Sequence, residues 1–241
     1  MGTKKLFCYG WWPVRPQNAK QWITERSEYK GSKTVLLRCT QLLCSARDQR
    51  EIVDDWCEFF HSPSPIRELL LDSRVPVPLF EAVCNQTQLT GLHIKWGPIK
   101  DLSPLPKLKN LRRLNLGSCS ITDLSPISAL SNLECLALEN LDRLSDYSPL
   151  GKLKSLEYLD IKGAPFMPKD VWMDDLKFLR RLPKLRGLAL CAVRFRDGAY
   201  YKVFNSLKNL EELDLSIGRL DEKTANLIRS WLPGLKYCHI P

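Results

Sequence analysis

Residues 89–110 read LTGLHIKWGPIKDLSPLPKLKN, and residues 111–132 read LRRLNLGSCSITDLSPISALSN. They are one 22-residue sentence written twice. Leu89, Leu92, Ile94, Ile99, Leu102, Leu105 and Leu108 return as Leu111, Leu114, Leu116, Ile121, Leu124, Ile127 and Leu130. The word Asp-Leu-Ser-Pro also returns, at 101–104 and 123–126. A fixed period in the twenties with an LxxLxL core predicts a stack of units, each too small to bury its own apolar face.

Outward from that pair the same opening recurs along the chain. Strand segments begin at Ile66, Leu89, Leu111, Leu133, Leu156, Leu185, Leu210 and Leu235, at intervals of 23, 22, 22, 23, 29, 25 and 25 residues. Side chains alternate across a strand, so the fourth and sixth positions of each segment enter the core and the third, fifth and seventh face outward. The 22-residue units leave room for a brief return with one helical turn. The longer late units predict helices over 170–181, 198–207 and Glu222–Trp231. Val171, Trp172, Leu176 and Leu179 fit one helical face, preceded by Phe166 and Met167.

With the LxxLxL and DLSP words quoted, the chain resembles leucine-rich-repeat proteins of the 22-residue class. Bacterial internalins and the phosphatase-regulating leucine-rich-repeat protein of eukaryotes belong to that class. The resemblance covers residues 66–241 and is sharpest over 89–156. It implies an α/β fold, a right-handed horseshoe solenoid with a parallel concave sheet and short convex helices, that binds proteins on its concave face. The chain departs from the pattern at the ninth position, where such repeats carry Asn or Cys. Here it holds Gly97, Cys119, Leu141, Ala164, Val193 and Gly218, so the turn backbone must find other hydrogen-bond partners.

Residues 1–65 are not repeat-like and read as an N-terminal cap with an irregular first strand–helix unit. TVLLRCT (34–40) has strand composition, and Ser45 is placed to cap a helix carrying Ile52, Val53, Trp56, Phe59 and Phe60 on one face. Trp11, Trp12 and Trp22 suit a cover for the first apolar layer of the solenoid. The last segment, LKYCHI, predicts an open edge, hence a monomer or a weak homodimer through that end.

No apolar run approaches the ~20 residues of a membrane span. MGTKKLFCYGWWP lacks the long apolar core of a secretory leader. Nine scattered cysteines form no CxxC pair, which fits reduced, buried thiols. The expected location is therefore the cytoplasm. The net charge is +9, of which residues 1–33 carry +5, from seven Lys/Arg against two Asp/Glu.

The outward columns define the candidate partner-binding face: Arg113, Tyr158, Glu212 and Tyr237 at third positions; His93, Asn115, Asp160, Asp214 and His239 at fifth; Lys95, Glu139 and Lys162 at seventh; and Trp96 beside them. With Glu68 and Asp72 these columns hold six acids against three Lys/Arg, so the inner face is mildly acidic. That argues against nucleic acid there, since a phosphate-tracking groove needs clustered cations. A protein partner of basic or mixed character is expected instead. Basic clusters at Lys107, Lys109, Arg112 and Arg113, and at Lys177, Arg180, Arg181, Lys184 and Arg186, read as a solvated rim. An RNA-associated role through the cap and this rim is the alternative.

Nothing in the sequence signals an enzyme. There is no phosphate loop, GxSxG, HExxH or paired-Cys metal site, so no catalytic residue, cofactor or metal is expected. The expected function is capture of a folded protein. It could be inhibitory, as in a toxin-immunity protein, or serve as the regulatory subunit of an enzyme.

Overall fold

The computed structural model describes residues 22–163, 171–217 and 220–240. Trp11, Trp12, Phe166 and Met167 lie outside them. In chain order the elements are β1 (Thr34–Leu37), α1 (Ala46–His61), β2 (Glu68–Arg74), α2 (Val77–Val83), β3 (Gly91–Trp96), β4 (Arg113–Gly117), β5 (Cys135–Glu139) and β6 (Tyr158–Lys162). They continue with β7 (Val171–Met173), β8 (Gly187–Cys191), β9 (Val193–Phe195), β10 (Glu212–Asp214), α3 (Glu222–Trp231) and β11 (Tyr237–His239). Nine strands, β1-β2-β3-β4-β5-β6-β8-β10-β11, form one parallel sheet; β7 and β9 form a second.

All eight segments read from the leucine spacing are strands of the main sheet, in the predicted register. Leu69, Leu92, Leu114, Leu136, Leu159, Leu188 and Leu213 pair in sequence across it, each 0% exposed. The return residues Ile121, Leu124, Ile127 and Leu130 are equally buried from the other side. Each such side chain contributes about 1.5–3 kcal/mol of burial. The gain exists only when a neighbouring unit covers it, which is why the stack folds as a stack.

The strand and helix read within residues 34–60 are present as β1 and α1. Ser45 and Asp48 form a reciprocal capping box on α1. Trp56 is fully buried, donates from Nε1 to the Thr24 carbonyl at 2.7 Å, and stacks on Phe60 with 5.5 Å between centroids. Ile23 bridges to Leu37, extending the sheet edge by one residue beyond β1.

The turns lacking the ninth-position carboxamide are satisfied along the backbone. The residue after each strand carries the parallel ladder one rung further: Ser118 N–H donates to the Glu139 carbonyl (2.7 Å), Asn140 to Lys162 (2.7 Å), Gly163 to Cys191 (2.8 Å) and Ala192 to Ser216 (2.8 Å). At Gly163 a Cβ would stand 2.0 Å from the Ala192 carbonyl oxygen, so only glycine allows that approach. An Asn ladder does exist, but one residue before the strand segments. Asn110, Asn132 and Asn209 donate from Nδ2 to the carbonyls of Thr87, Lys109 and Pro183 in the preceding unit. The recurring Asn-Leu pair was its signal.

The Asp of the repeated word has a specific task. Asp101, Asp123, Asp146, Asp175 and Asp197 each accept the backbone N–H two residues on, at 2.7–2.8 Å, starting the 3-10 turn that follows. These bonds favour the ionised form and hold Asp101 and Asp123 below the ordinary carboxylate value.

Two helix expectations are corrected. Over 170–181 the structure places strand β7 and a 3-10 turn, Lys177–Arg181. Val171 and Met173 point inward, Trp172 outward, and all three pair with Val193–Phe195; the new ladder outcompetes helix formation. Over 198–207 the turn is also 3-10, Tyr200–Ser206. The predicted helix Glu222–Trp231 is present, capped by Asp221. Helix α2, which begins beside Pro76 and Pro78, was not anticipated.

Tyr147 is 2% exposed and its hydroxyl has no hydrogen-bond partner among the described residues. Burial pushes its pKa well up. Tyr147→Phe removes an unpaired buried polar group at nearly constant shape. It is expected to leave stability unchanged or raise it by about 1 kcal/mol in urea unfolding. A loss of 1 kcal/mol or more would show that the hydroxyl is in use.

Candidate functional site

Parallel pairing without slips from β3 onward sets the outward residues in columns. Glu68, Gly91, Arg113, Cys135, Tyr158, Gly187, Glu212 and Tyr237 stand side by side. Two residues along, Leu70, His93, Asn115, Ala137, Asp160, Ala189, Asp214 and His239 do the same. Gly117, Glu139, Lys162 and Cys191 begin the third column.

The candidate residues on this face divide by exposure. Lys95 and His239 are exposed; His93, Trp96, Arg113, Glu139, Tyr158, Lys162, Glu212 and Tyr237 are half-buried. Asn115, Asp160 and Asp214 are buried, Asp160 to 1%. Asp160 has alanines beside it in its column and Tyr158 and Lys162 two residues away on its own strand, so the short carboxylate lies beneath longer neighbours. Lys162 Nζ reaches it at 3.1 Å. Of the six acids on this face, Asp160, Glu68 and Asp72 have a Lys or Arg partner among the described residues. Glu68 pairs with Arg113 (2.5 Å), Asp72 with Arg38 (2.7 Å) and Lys95 (3.0 Å), and Asp214 with His239 (3.2 Å). Burial alone would raise the Asp72 pKa; the hydrogen bonds from Arg38 and Lys95 outweigh it and hold it low. Burial holds His93 below the usual imidazole value against the pull of Glu139 and Asp72. Trp96 ends β3, with the Arg74 guanidinium 6.0 Å from its ring centroid.

Three polar atoms in the middle of this face are buried without a hydrogen-bond partner among the described residues: Glu68 Oε2, Arg113 Nε and Asn115 Oδ1. Each represents about 1–3 kcal/mol of uncompensated desolvation. Asn115 meanwhile donates to Glu139 at 3.3 Å.

No family model matches the sequence, and no curated protein does either. Solved structures do. Internalin C2 from Listeria monocytogenes superposes with a TM-score of 0.55 at 27% identity, over 72% of this chain and 72% of that one. A leucine-rich-repeat protein of Leptospira interrogans superposes with a TM-score of 0.59 at 19% identity, over 87% of this chain and 54% of that one. The chain has a leucine-rich-repeat fold like theirs.

In this leucine-rich-repeat protein the edge of the sheet where strands begin carries a charge ladder that sequence reading did not resolve. Arg112 bonds Glu134 (2.5 Å), Arg186 approaches Glu157 (3.8 Å) and Glu211 (3.1 Å), and Lys236 bonds Glu211 (2.7 Å). Arg112 and Arg186, read as rim cations, are thus neutralised. Hydrogen bonds from Arg186 and Lys236 pull the Glu211 pKa down to about 2. A depressed folded pKa contributes stability that is full above the unfolded value of about 4.3 and lost as pH falls toward 2. The melting temperature of Glu211→Gln should therefore differ from the parent by a constant amount between pH 6 and 8. That gap should close as pH is lowered to 2; a gap independent of pH would refute the ladder.

One cluster near β11 has the composition of a hydrolytic triad. Ser216 Oγ donates to Asp214 Oδ1 at 2.7 Å, and His239 Nδ1 lies 3.2 Å from both oxygens. A triad needs serine and carboxylate on opposite ring nitrogens so that the imidazole can pass a proton. Here both use the same nitrogen, and the serine proton already belongs to the aspartate. The cluster ties β10 to β11. Among the described residues no group of three or more His, Cys, Asp or Glu is gathered to hold a metal. None of the described helices is long and apolar enough to cross a membrane.

Proposed function

We propose that the array captures a folded protein partner on its concave face and acts by holding it, without chemistry of its own. The observation that carries this reading is the unbroken register of the sheet from β3 onward, which holds half-buried Arg113, Glu139, Tyr158, Glu212 and Tyr237 in fixed columns on one face. Side chains already held half-buried lose little further freedom when a partner docks. The internalin-type fold supports the same assignment by analogy.

In this reading Tyr158, Tyr237 and Trp96 are the anchors, as large side chains at the solvent boundary. His93, Lys95, Arg113, Glu139, Lys162, Glu212 and His239 supply polar contacts. Asn115, Asp160 and Asp214 set the positions of their neighbours from below. The self-paired charges favour a partner surface of mixed character. Capture that blocks the partner, as an immunity protein or inhibitory subunit does, is the proposed consequence, in the cytoplasm and with one copy per partner; weak self-association through β11 is a separate proposal.

The test is nuclease-treated affinity capture from native lysate with mass spectrometry, parent beside Lys95→Glu/Tyr158→Ala/Tyr237→Ala. One protein retained by the parent and lost by the variant, with unchanged melting, supports the concave face. The same protein retained by both removes it. Light scattering of the purified chain at high concentration reads out self-association.

A further inference from the structure

On the sheet and its edge Arg38, Lys95, Arg112, Arg113, Lys162, Arg186 and Lys236 are paired with carboxylates, as described. A second set is not. At the corner where the return segment turns into the next strand, three successive units carry Lys152 and Lys154, then Arg180, Arg181 and Lys184, then Lys208, all exposed. The twelve positions that form this corner (151, 152, 154, 155; 180, 181, 183, 184; 205, 206, 208, 209) contain no Asp or Glu. Among the described residues none of the six cations makes a salt bridge. Lys154 and Lys208 are instead directed by neutral oxygens: Lys154 donates to the Gly151 and Arg181 carbonyls, and Lys208 to Asn205 and the Trp231 carbonyl. Close-set like charges that make no salt bridge among the described residues repel one another, and an anion laid over them relieves that repulsion.

The corner borders a groove of about 490 Å³ lined by Lys184, Lys208, Arg186 and Lys236 among others. The acids in it, Glu157 and Glu211, are those held by Arg186 and Lys236. A second groove of about 470 Å³ shares Glu157 and Lys184 and continues across the earlier units, where Asn110, Asn132 and Ser155 line it beside Arg67 and the Arg112–Glu134 pair. Cations beside a run of carboxamides and hydroxyls are the groups that position a sugar–phosphate backbone. Asn110, Asn132 and Asn209 each use Nδ2 once, leaving a second N–H on that atom.

We propose that this corner and its groove bind the phosphate backbone of a nucleic-acid duplex, independently of sequence. The twelve corner positions hold no aromatic and no large aliphatic residue. They offer no platform for stacked single-stranded bases and nothing to insert into a bilayer. The surface is separate from the concave face, so partner capture and duplex binding are independent claims.

The experiment is fluorescence anisotropy of a labelled 20-base-pair duplex with the full chain, from 50 to 200 mM NaCl. For four to six phosphate contacts the expected slope of log K against log salt is about −4 to −5, the same for a duplex of unrelated sequence. Lys152→Glu/Arg180→Glu/Lys184→Glu should weaken binding on the order of 100-fold at 100 mM salt and flatten the slope by about 2–3. These side chains are exposed, so melting should not change; single Lys184→Glu, with an expected loss of about tenfold, serves if the triple variant misfolds. No duplex binding at 50 mM salt overturns the proposal. So does loss on Lys4→Glu/Lys5→Glu/Arg15→Glu/Lys20→Glu with the triple variant unaffected, because the N-terminal segment would then be the site. Preference for polyglutamate or for vesicles containing anionic lipid over the duplex overturns it as well.

Discussion

Replacing Trp56 by alanine is expected to lower stability by about 4–5 kcal/mol and to concentrate the damage at one end of the molecule. Truncating a fully buried large aromatic costs about 3–5 kcal/mol in lost burial and residual cavity. The Thr24 carbonyl, which accepts from Trp56 Nε1, would lose its partner as well. Tyr29, Phe59 and Phe60 all pack edge-on or stacked against this ring, with centroids 5.5–6.3 Å away. In a stack each unit contacts its neighbours only, so stability is close to a sum of unit and interface contributions. Hydrogen exchange should therefore show protection falling in β1 and α1 while β5, β6 and β8 keep theirs. A uniform drop along the chain would mean that the solenoid unfolds as one block; a loss below 1 kcal/mol would mean that the cap can repack.

Asp160→Lys has the second large expected effect. At 1% exposure the carboxylate is held by Lys162, whose side chain is itself only 20% exposed. Removing one member of a buried pair costs about 3–5 kcal/mol because the other charge is left uncompensated, and here a second ammonium would stand beside the first. For a chain of this length that is roughly a 10 °C fall in melting temperature. Glu212→Lys, on the next column but half-buried, should change stability by about 0.5 kcal/mol or less. If Asp160→Lys melts like the parent, the carboxylate is accessible and belongs among the contact residues rather than beneath them.

The contrast between those two positions shows what the sequence could and could not reveal. The strands were legible because leucine spacing repeats a geometric fact, the alternation of a strand against a layered core. The same alternation names Asp160 and Glu212 as outward but says nothing about depth, which for Asp160 is set by the longer Tyr158 and Lys162 on its own strand. The 170–181 error has a related origin. Val171, Trp172, Leu176 and Leu179 suit a helix face, yet the partner that makes Val171–Met173 a strand sits twenty-two residues later, at Val193–Phe195. Pairing across that distance leaves no local mark. Rim charges were legible as residues but not as pairs, since only the fold shows that Arg186 meets Glu211 at 3.1 Å while Arg180 makes no salt bridge among the described residues.

The aspartate that opens each return turn acts as a ruler for growth of the array. From Asp101, Asp123, Asp146 and Asp175 the next strand segment begins after the same ten residues every time. The stretch before those aspartates grows from 12 to 13 to 19 residues, and the surplus became β7. Insertions upstream of the aspartate therefore decorate the surface without disturbing the stacking phase. After Asp197 and Asp221 the interval lengthens to 13 and 14, and there the return itself changes, into a longer 3-10 turn and then a true helix. The protein thus has two separable ways to vary. One adds ornament at constant pitch; the other thickens the outer wall and so bends the stack. A loop grafted just after Ser120 would use the first, and should leave every strand where it is.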